Sequence, residues 1–425
     1  MDRIAIVDGV RTPFAKAWTA FEDEPAQKLG AACTRELLER TGLDPQLVDE
    51  VIFGCVAQPM EAANLARVVA LYAGIPERKR AYTISRNCAS GLESVTSALE
   101  KITTGFDEIV IAGGAESMSN IPLTVGKPLT KILTRLSKAK TFGQKLGLLA
   151  SIKPSYLKPV ISLAQGLTDP FCGLNMGSTA ELLAKELGIS RREQDEFALE
   201  SHRKAVAGKM KLREEIVPYI TGKKFETVLE DDNGPRENLQ LESLAKMKPF
   251  FDRVAGSVTI GNSCQVTDGA CALLVMKESR AKALGYEPLG YIRSYAYEGL
   301  DPSRMGLGPA YAIPVALKKA GLELKDMDLV EINEAFAAQV IACLRMLASR
   351  KFAQDVLSRS EFVGEVDPAK LNVNGSGISV GHPVGATGSR LILTLLKELK
   401  RRGLQFGVAS LCVGGGLGGA VVLER

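Results

Sequence analysis

The sequence has 425 residues, too many for one ordinary hydrophobic core, so we expect two or three domains. Its 46% apolar and 24% charged residues are typical of a soluble globular protein, and the formal net charge of +4 is small for this length. The chain contains two histidines, His202 and His382, which nearly excludes the histidine-rich active sites of many enzymes.

The eight cysteines are scattered, without a Cys-x-x-Cys motif or any spacing typical of metal ligands. In a chain of this size, that pattern predicts a reduced cytoplasmic protein without a metal site and argues against a disulfide scaffold. The N-terminal run Met1–Val7 reads as a strand and lacks the features of a secretory signal, which agrees with a cytoplasmic location.

Two parts of the chain repeat one pattern. Residues 37–54 and 317–333 each read as a helix that ends at glycine, a short polar loop and a buried strand. Further along, Cys88 and His382 each precede a helical pattern that leads into an apolar strand. An offset of about 280 to 300 residues indicates a domain duplication, and each half should form a layered α/β sheet.

The segment between the halves does not fit the repeat. Residues 119–249 read mostly as helices, and we expect them to form an inserted loop domain. The N-terminal half would then comprise residues 1–118 and 250–278, and the C-terminal half residues 279–425. The run Gly256–Ile260 is predicted to be a strand by which the chain returns to the first half.

The charge within this insertion is one-sided. No acidic residue occurs between Glu116 and Asp169, while the same window contains eight basic residues: Lys127, Lys131, Arg135, Lys138, Lys140, Lys145, Lys153 and Lys158. Leucines and an isoleucine at helical spacing form an apolar stripe beside them. Residues 127–158 could therefore be a peripheral membrane contact, a dock for an acidic partner subunit, or an ordinary helix with solvated lysines. Nucleic-acid binding is disfavoured, because no nucleic-acid-reading motif accompanies the charge.

A long uncharged stretch lies near the C-terminus. Leu404–Leu423 spans 20 residues without a charged side chain, which is long enough for a membrane helix. Six of these residues are glycines, and three of them are consecutive at 414–416. The stretch therefore predicts two buried strands joined by a turn.

Cys88 is a candidate nucleophile. It lies directly before a helical pattern, where the helix dipole and free N–H groups favour the thiolate form. His382, in a glycine-rich turn, could act as its base, and Cys412, before Gly414, could be a second thiol that moves a proton. Taken singly, each has a plainer interpretation as a buried cysteine, a structural histidine or a strand cysteine.

Taken together, the motifs resemble those of the thiolase family. They extend over nearly the whole chain and occur in the family's order: Arg11-Thr12-Pro13-Phe14, Asn87-Cys88-Ala89-Ser90-Gly91-Leu92, Gly113-Gly114-Ala115-Glu116-Ser117-Met118, Met176-Gly177-Ser178-Thr179-Ala180-Glu181, Asp268-Gly269-Ala270, Asn333-Glu334-Ala335-Phe336, Gly381-His382-Pro383 and Cys412-Val413-Gly414-Gly415-Gly416. The resemblance implies an α/β fold with two duplicated halves in five layers (αβαβα), covered by a mainly helical loop domain and assembled as homodimers or homotetramers.

The resemblance also implies a mechanism. Cys88 would attack the thioester carbonyl of a 3-ketoacyl-CoA and carry the acyl group, His382 would take the thiol proton, and Cys412 would exchange protons with acetyl-CoA and incoming coenzyme A. Asn333 would hold a water that joins His382 in one oxyanion hole, and the N–H groups of Cys88 and Gly414 would form another. Coenzyme A is a substrate, and no bound cofactor is implied.

Departures from the family pattern bear on the type of thiolase. Asn175 stands where short-chain biosynthetic enzymes have a histidine, and with the basic insertion it makes the chain more similar to the β subunit of the trifunctional fatty-acid oxidation complex. That similarity favours degradation of medium or long chains and a hydratase/dehydrogenase α subunit as partner. Cys264 replaces a serine found near coenzyme A in many relatives, which weakens the inference of a contact there.

Three alternatives to a degradative thiolase remain. A biosynthetic acetoacetyl-CoA thiolase shares the motifs. A decarboxylating ketoacyl synthase shares the fold but needs two active-site histidines, and His202 lies in a helical pattern typical of the loop domain. A non-catalytic lipid-binding relative would be expected to have lost Cys88, His382 or Cys412, and all three are present.

Overall fold

A computed structural model describes residues 2–222, 224 and 226–425. It contains two compact units. The larger unit consists of the chain up to Asn120 together with Asp169–Arg425, and the smaller unit is Ile121–Thr168.

The larger unit begins with alternating strands and helices. Its first part contains β1 (Ile4–Arg11), β2 (Ala15–Lys16), α1 (Ala26–Thr41), β3 (Glu50–Gly54), α2 (Leu65–Tyr72), β4 (Arg80–Ile84), α3 (Ser90–Thr103) and β5 (Ile109–Glu116). The smaller unit contains β6 (Leu123–Val125), α4 (Lys127–Lys138), α5 (Phe142–Ala150), β7 (Pro159–Ile161) and α6 (Ser162–Gly166). Within it, β6 and β7 form a two-stranded antiparallel sheet.

The rest of the chain belongs to the larger unit. It starts with α7 (Met176–Glu186), α8 (Arg191–Ala207), α9 (Lys209–Arg213), the hairpin of β8 (Tyr219–Thr221) and β9 (Thr227–Leu229), and α10 (Leu241–Ala245). There follow β10 (Thr267–Lys277), α11 (Glu278–Ala283), β11 (Gly290–Gly299), α12 (Gly308–Ala320), β12 (Leu329–Ile332), α13 (Ala337–Leu347), α14 (Arg350–Asp355), α15 (Thr387–Arg402), β13 (Phe406–Val413) and β14 (Leu417–Glu424).

The duplication is visible in the main sheet, whose strands follow the order β12-β13-β14-β11-β1-β10-β5-β3-β4, with β2 paired to β10. The set β3-β5-β10-β1 corresponds to the set β12-β13-β14-β11. In each set the first pair is parallel and the next two pairs are antiparallel. The predicted repeat of one order of elements is therefore present in the sheet.

Three hydrophobic clusters give this sheet its layers. Helices α1 and α2 pack on one face of the N-terminal strands, and α12 packs on one face of the C-terminal strands. Between the two strand sets, α3 and α15 share one core with residues from both. The order helix, sheet, helix, sheet, helix is the predicted five-layer arrangement, and it places the start of α3 beside the start of α15.

The uncharged stretch near the C-terminus forms a strand pair, as predicted. β13 and β14 are antiparallel neighbours, joined by a turn at residues 414–416. None of the helices in the described ranges is long and apolar enough to cross a membrane.

The predicted strand Gly256–Ile260 is wrong. This run is irregular, and the carboxylate of Glu181 accepts hydrogen bonds from the backbone N–H groups of Ser257 and Val258 at 2.8–2.9 Å. A buried side chain satisfies these donors, so the run needs no neighbouring strand. The apolar, β-branched composition that suggested a strand instead places Val258 in a buried cluster.

The predicted division into a loop domain at 119–249 and two flanking halves stays a prediction. Residues 121–168 form one compact unit, and the remainder of the predicted insertion belongs to the unit that contains the main sheet. Two duplicated halves that share one sheet cannot be separated by compactness alone.

Candidate active site

Cys88 lies directly before α3, as predicted. The chain reaches it through a tight turn in which the N–H of Ala89 donates to the carbonyl of Arg86 at 2.9 Å, and the N–H of Ser90 donates to that of Asn87 at 3.0 Å. Ala89 and Ser90, which follow Cys88, are fully buried, so the small residues of this motif pack into the core where α3 begins.

The N–H groups at the helix start favour the Cys88 thiolate, as expected, but burial favours the thiol more strongly. Burial raises the pKa of the Cys88 thiol above its ordinary value, and this outweighs the lowering by hydrogen bonds from the N–H groups of Gly414 and of Cys88 itself. The two donors nevertheless stand beside the sulfur. They are therefore placed to stabilise negative charge that develops on an atom bonded to it.

His382 is held in a buried turn by its backbone and by its ring. Its N–H donates to Oγ1 of Thr267 at 3.1 Å, and its Nδ1 lies 2.6 Å from Oγ1 of Thr387. Its Nε2 is buried without a hydrogen-bond partner among the described residues. Burial, and after it the positive charge of Arg390, lower the pKa of His382 to about 3, so the ring is a neutral base at ordinary pH.

Glycines bring the starts of α3 and α15 together. A Cβ added at Gly91 would lie 2.8 Å from the carbonyl oxygen of Gly385, and one at Gly114 would lie 1.9 Å from the same oxygen. A side chain at either position would push the turn that carries His382 away from the turn that carries Cys88. The glycines in these motifs therefore serve close backbone approach between the two halves.

Glu116, at the end of β5, fastens this junction. Its buried carboxylate accepts hydrogen bonds from the N–H groups of Val56 and Ala57 at 3.0 and 2.9 Å, and from the N–H of Gly385 at 2.9 Å. Burial raises the pKa of Glu116 in spite of these donors. One side chain thus holds the loop after β3 and the turn of His382 in a fixed relation.

Asn333, just after β12, presents an unused amide. It is fully buried, and neither its Oδ1 nor its Nδ2 has a hydrogen-bond partner among the described residues. Its Oδ1 lies 2.8 Å from the position a Cβ would take at Gly377, whose carbonyl accepts from the N–H of Gly381 beside His382. A buried amide of this kind can be satisfied by an ordered water, which agrees with the water-holding role that the resemblance implies.

Glu334 fixes the backbone around Asn333. Its buried carboxylate accepts from the hydroxyl of Ser201 at 2.6 Å, from Nδ2 of Asn372 at 2.8 Å and from the N–H of Ile378 at 3.3 Å. Burial raises the pKa of Glu334. The carboxylate links α8 and the loop before His382 to the end of β12.

Cys412 lies in β13 among other thiols. Burial, and then the neighbouring thiols of Cys88, Cys343 and Cys264, raise its pKa well above the ordinary value. The structure therefore brings Cys412 close to the candidate nucleophile from the opposite half of the chain. A thiol with a high pKa holds its proton until a basic atom, such as a carbanion or an alkoxide, takes it.

Cys264 lies on the thiol side of the site. Its backbone N–H donates to the carbonyl of Ala335 at 2.9 Å, and its side chain packs in the cluster that contains Cys412. Burial, and after it the nearby Cys88 thiol, raise the pKa of Cys264 to about 12. Its contact with coenzyme A stays a prediction.

Two residues weighed from the sequence have structural roles here. His202 is buried in α8, where its Nδ1 accepts the N–H of Arg236 at 3.2 Å, so this nitrogen is already used. Asn175 is the N-cap of α7, with its Oδ1 accepting the N–H of Gly177 at 3.0 Å. A side chain of this type is preferred at that position.

Sequence reasoning gave no role to Glu116, Thr387 or Asn87. Glu116 could have been noticed because it is a carboxylate at the end of an otherwise apolar strand. Burying a carboxylate costs free energy unless hydrogen bonds or an opposite charge satisfy it. Asn87 was visible within its motif and Thr387 follows His382 by five residues, but their contacts with Gly414 and His382 depend on the fold of the turns.

Family models match nearly all of the chain. The thiolase N-terminal domain matches residues 4–279, and the thiolase C-terminal domain matches residues 286–425. The 3-ketoacyl-CoA thiolase of Pectobacterium carotovorum (strain PC1) is 47% identical over 427 residues, covering 100% of this chain and 97% of that relative. The 3-ketoacyl-CoA thiolase of Aliivibrio fischeri (strain MJ11) is 46% identical, covering 100% and 96%.

Solved structures share the fold over the full length. The Bacillus anthracis acetyl-CoA acetyltransferase has a TM-score of 0.87 at 38% identity and covers 100% of this chain and 99% of its own. Human mitochondrial 3-ketoacyl-CoA thiolase in complex with CoA has a TM-score of 0.86 at 36% identity, covering 100% and 98%.

Proposed function

We propose that this chain, which belongs to the thiolase family, is a 3-ketoacyl-CoA thiolase that uses coenzyme A to cleave a 3-ketoacyl-CoA into acetyl-CoA and a shortened acyl-CoA. The observations that carry the proposal are the closeness of Cys88 to Cys412 and to the N–H of Gly414, and a neutral His382 in a turn that packs against the start of α3.

The first half-reaction forms an acyl-enzyme. Nε2 of His382 takes the Cys88 proton while the sulfur attacks C3 of the substrate. The expected attack on the thioester carbonyl is wrong, because it would release coenzyme A instead of acetyl-CoA. The oxyanion on C3 is stabilised by the N–H groups of Cys88 and Gly414. When the C2–C3 bond breaks, its electrons pass to C2, which takes a proton from Cys412 and leaves as acetyl-CoA.

The second half-reaction restores the enzyme. Cys412, now a thiolate, takes the proton of the incoming coenzyme A thiol, whose sulfur attacks the acyl group on Cys88. The tetrahedral oxyanion forms beside the same two N–H groups, and the Cys88 sulfur leaves and regains the proton held by His382.

Asn333, through a water, and His382 stabilise the enolate oxygen of the acetyl-CoA side, which gives the unused amide of Asn333 a partner.

A biosynthetic acetoacetyl-CoA thiolase is the second candidate, favoured by the fold match to an acetyl-CoA acetyltransferase. Relatives at 46–47% identity bear the name 3-ketoacyl-CoA thiolase, and this favours the degradative role. Thiolysis rates over a ladder of 3-ketoacyl-CoA chain lengths test the choice. A rise in kcat/KM from four carbons to eight or more supports the proposal, and activity confined to acetoacetyl-CoA contradicts it.

The smaller unit suggests a surface contact. Its eight basic residues have no acidic residue beside them, and eight of its large apolar side chains are exposed: Leu123, Val125, Leu133, Phe142, Leu146, Leu149, Leu157 and Ile161. Basic and apolar side chains together fit the interface of an anionic membrane. We therefore assign residues 127–158 to peripheral membrane contact, with an acidic hydratase/dehydrogenase subunit as the alternative partner.

The state of the cysteines supports a cytoplasmic location. In the described chain all eight cysteines are free, and a reduced cytoplasm keeps Cys88 and Cys412 in the thiol form that the reaction needs. We place the protein there as a homodimer or homotetramer, with acyl-CoA and coenzyme A as its small-molecule ligands.

A further inference from the structure

Asn87 has an unusual backbone conformation for a residue with a side chain. Its φ of 45° lies in the left-handed region, which asparagine tolerates better than most residues. Its carbonyl accepts both the backbone N–H of Ser90 at 3.0 Å and the Ser90 hydroxyl at 2.6 Å. These bonds fix the turn and therefore the direction of the Asn87 side chain.

That side chain reaches the opposite half of the chain. Nδ2 of Asn87 donates to the carbonyl oxygen of Gly414 at 2.7 Å. The N–H of the same glycine lies close enough to the sulfur of Cys88, the next residue after Asn87, to lower the pKa of that thiol. Two adjacent residues before α3 therefore lie against one glycine, Asn87 at its carbonyl and Cys88 at its N–H.

The two ends of this glycine turn are held by different contacts: the carbonyl of Gly416 accepts the N–H of Leu300 at 2.8 Å, whereas the carbonyl of Gly414 accepts from Asn87. The following residues, Gly415 and Gly416, have φ values of 91° and 78°, and glycine has more conformational freedom than any other residue. Around the Cβ position of Gly415, the nearest heavy atom from outside the turn is Nδ2 of Asn87 at 3.8 Å. The bond from Asn87 is therefore the hydrogen bond that restrains the Gly414 end of the turn, where the N–H faces the nucleophile.

We propose that Asn87 is a positioning residue that sets the distance from the oxyanion donor of Gly414 to the nucleophile Cys88. The inference rests on the proposed function, in which the Gly414 N–H stabilises the oxyanion of acyl transfer. An oxyanion donor acts only when it meets the developing charge, and a small displacement costs much of its effect.

Two substitutions at Asn87 separate the effect of its side-chain amide from the effect of its backbone conformation. Asn87→Gly keeps the left-handed φ and removes the amide, while Asn87→Asp keeps the shape and replaces the donor with an acceptor that faces the Gly414 carbonyl. Ser358→Gly is the matched control, since Ser358 is also exposed and has a φ of 53°. Because Asn87 is exposed, we expect all three variants to fold with melting temperatures close to that of the unsubstituted protein.

The readouts are acylation of Cys88 by p-nitrophenyl acetate in a single turnover, steady-state thiolysis of a 3-ketoacyl-CoA, and alkylation of Cys88 by iodoacetamide. We expect both Asn87 variants to lose about 10- to 100-fold in acylation and in kcat, with KM changed by less than about threefold. Alkylation forms no oxyanion, so its rate at high pH should stay within about threefold of the unsubstituted rate. Ser358→Gly should change none of these rates.

Unchanged acylation in Asn87→Gly would overturn the inference. Equal losses of acylation and alkylation would also overturn it, because they would indicate damage to the nucleophile. Acylation by p-nitrophenyl acetate needs no coenzyme A, so an unsubstituted protein that is acylated but lacks thiolysis would contradict the proposed function and leave the test of Asn87 intact.

Discussion

Nδ1 of His382 lies 2.6 Å from Oγ1 of Thr387, and the same hydroxyl lies 3.0 Å from the carbonyl oxygen of Pro383. With the Thr387 hydroxyl donating to the Pro383 carbonyl, it accepts the proton of Nδ1, and this hydrogen-bond network assigns the tautomer. The neutral ring therefore carries its hydrogen on Nδ1. The lone pair is left on Nε2, the nitrogen that is buried without a partner among the described residues.

Removal of this hydroxyl should weaken the base without removing it. Thr387→Val keeps the shape and loses the acceptor, so the ring can place its hydrogen on Nε2 and lose the lone pair needed there. We expect kcat to fall by about 10- to 100-fold, within the range of a misdirected general base. Thr387→Ser keeps the hydroxyl and should stay within about threefold. Equal rates in both variants, measured by steady-state thiolysis, would contradict the assigned tautomer.

The two thiols should separate by half-reaction. Cys412→Ala removes the proton donor of the acetyl-CoA step and the base for coenzyme A, so turnover should fall by about 100-fold or more. Cys88 and its two N–H donors remain, so acylation by a simple acyl-CoA should still be detectable by mass spectrometry. If acylation and turnover were lost to the same extent, the division of roles between Cys88 and Cys412 would be wrong.

The pKa shifts predict how Cys88 responds to pH. Burial raises the pKa of Cys88 above its ordinary value and lowers that of His382 to about 3, so the free protein should hold a neutral thiol and a neutral imidazole. Alkylation by iodoacetamide should then rise about tenfold per pH unit between pH 7 and 9, because the thiolate fraction does so below the thiol pKa. A thiolate–imidazolium pair would instead give a rate that is flat from pH 5 to 8.

The same titration shows which cysteine reacts. Cys88, Cys172 and Cys264 are partly accessible, whereas the other five are buried. Acyl-CoA should protect Cys88 and no other accessible cysteine, because the acyl group would occupy its sulfur. Peptide mapping that found Cys172 labelled first, with no protection by acyl-CoA, would contradict the assignment of the nucleophile.

The basic segment predicts salt-sensitive membrane binding. The protein should co-sediment with anionic liposomes at low salt, since each lysine near such a surface contributes roughly 1 kcal/mol. Binding should weaken as the Debye length falls from about 10 Å at 0.1 M to about 3 Å at 1 M salt. Replacing Lys131, Arg135, Lys138 and Lys145 with Glu should abolish it and leave thiolysis of a short substrate unchanged. If the protein does not co-sediment at low salt, a pull-down tests the alternative partner. An acidic subunit that binds the unsubstituted protein but not the variant with four Glu substitutions would favour protein docking.

Local pattern was enough for much of the fold. The helix after Cys88 and the strand pair β13–β14 follow from apolar periodicity and from the position of Gly414–Gly416, which are properties of neighbouring residues. The duplication could be read because both halves keep the same order of elements. The irregular run Gly256–Ile260 could not be read, since the N–H groups of Ser257 and Val258 are satisfied by Glu181, a residue far away in the chain.

The sequence predicted which residues form the site, but it did not predict the pKa values of their side chains. The position of Cys88 before α3 favours a thiolate, and this local effect is real but small beside desolvation. Desolvation depends on how the two halves close over the thiol. The tautomer of His382 is similarly set by Thr387, whose orientation follows from the start of α15 and has no signal in composition or spacing.

The central claim is that Cys88 carries the acyl group. The most direct measurement is to mix the protein with 3-ketooctanoyl-CoA in the absence of free coenzyme A, quench with acid and map the modified peptide by mass spectrometry. The account predicts a hexanoyl group on Cys88, with release of one acetyl-CoA per site, and its loss in Cys88→Ala. A hexanoyl group on Cys412 or Cys264, or turnover without any acyl-protein, would contradict it.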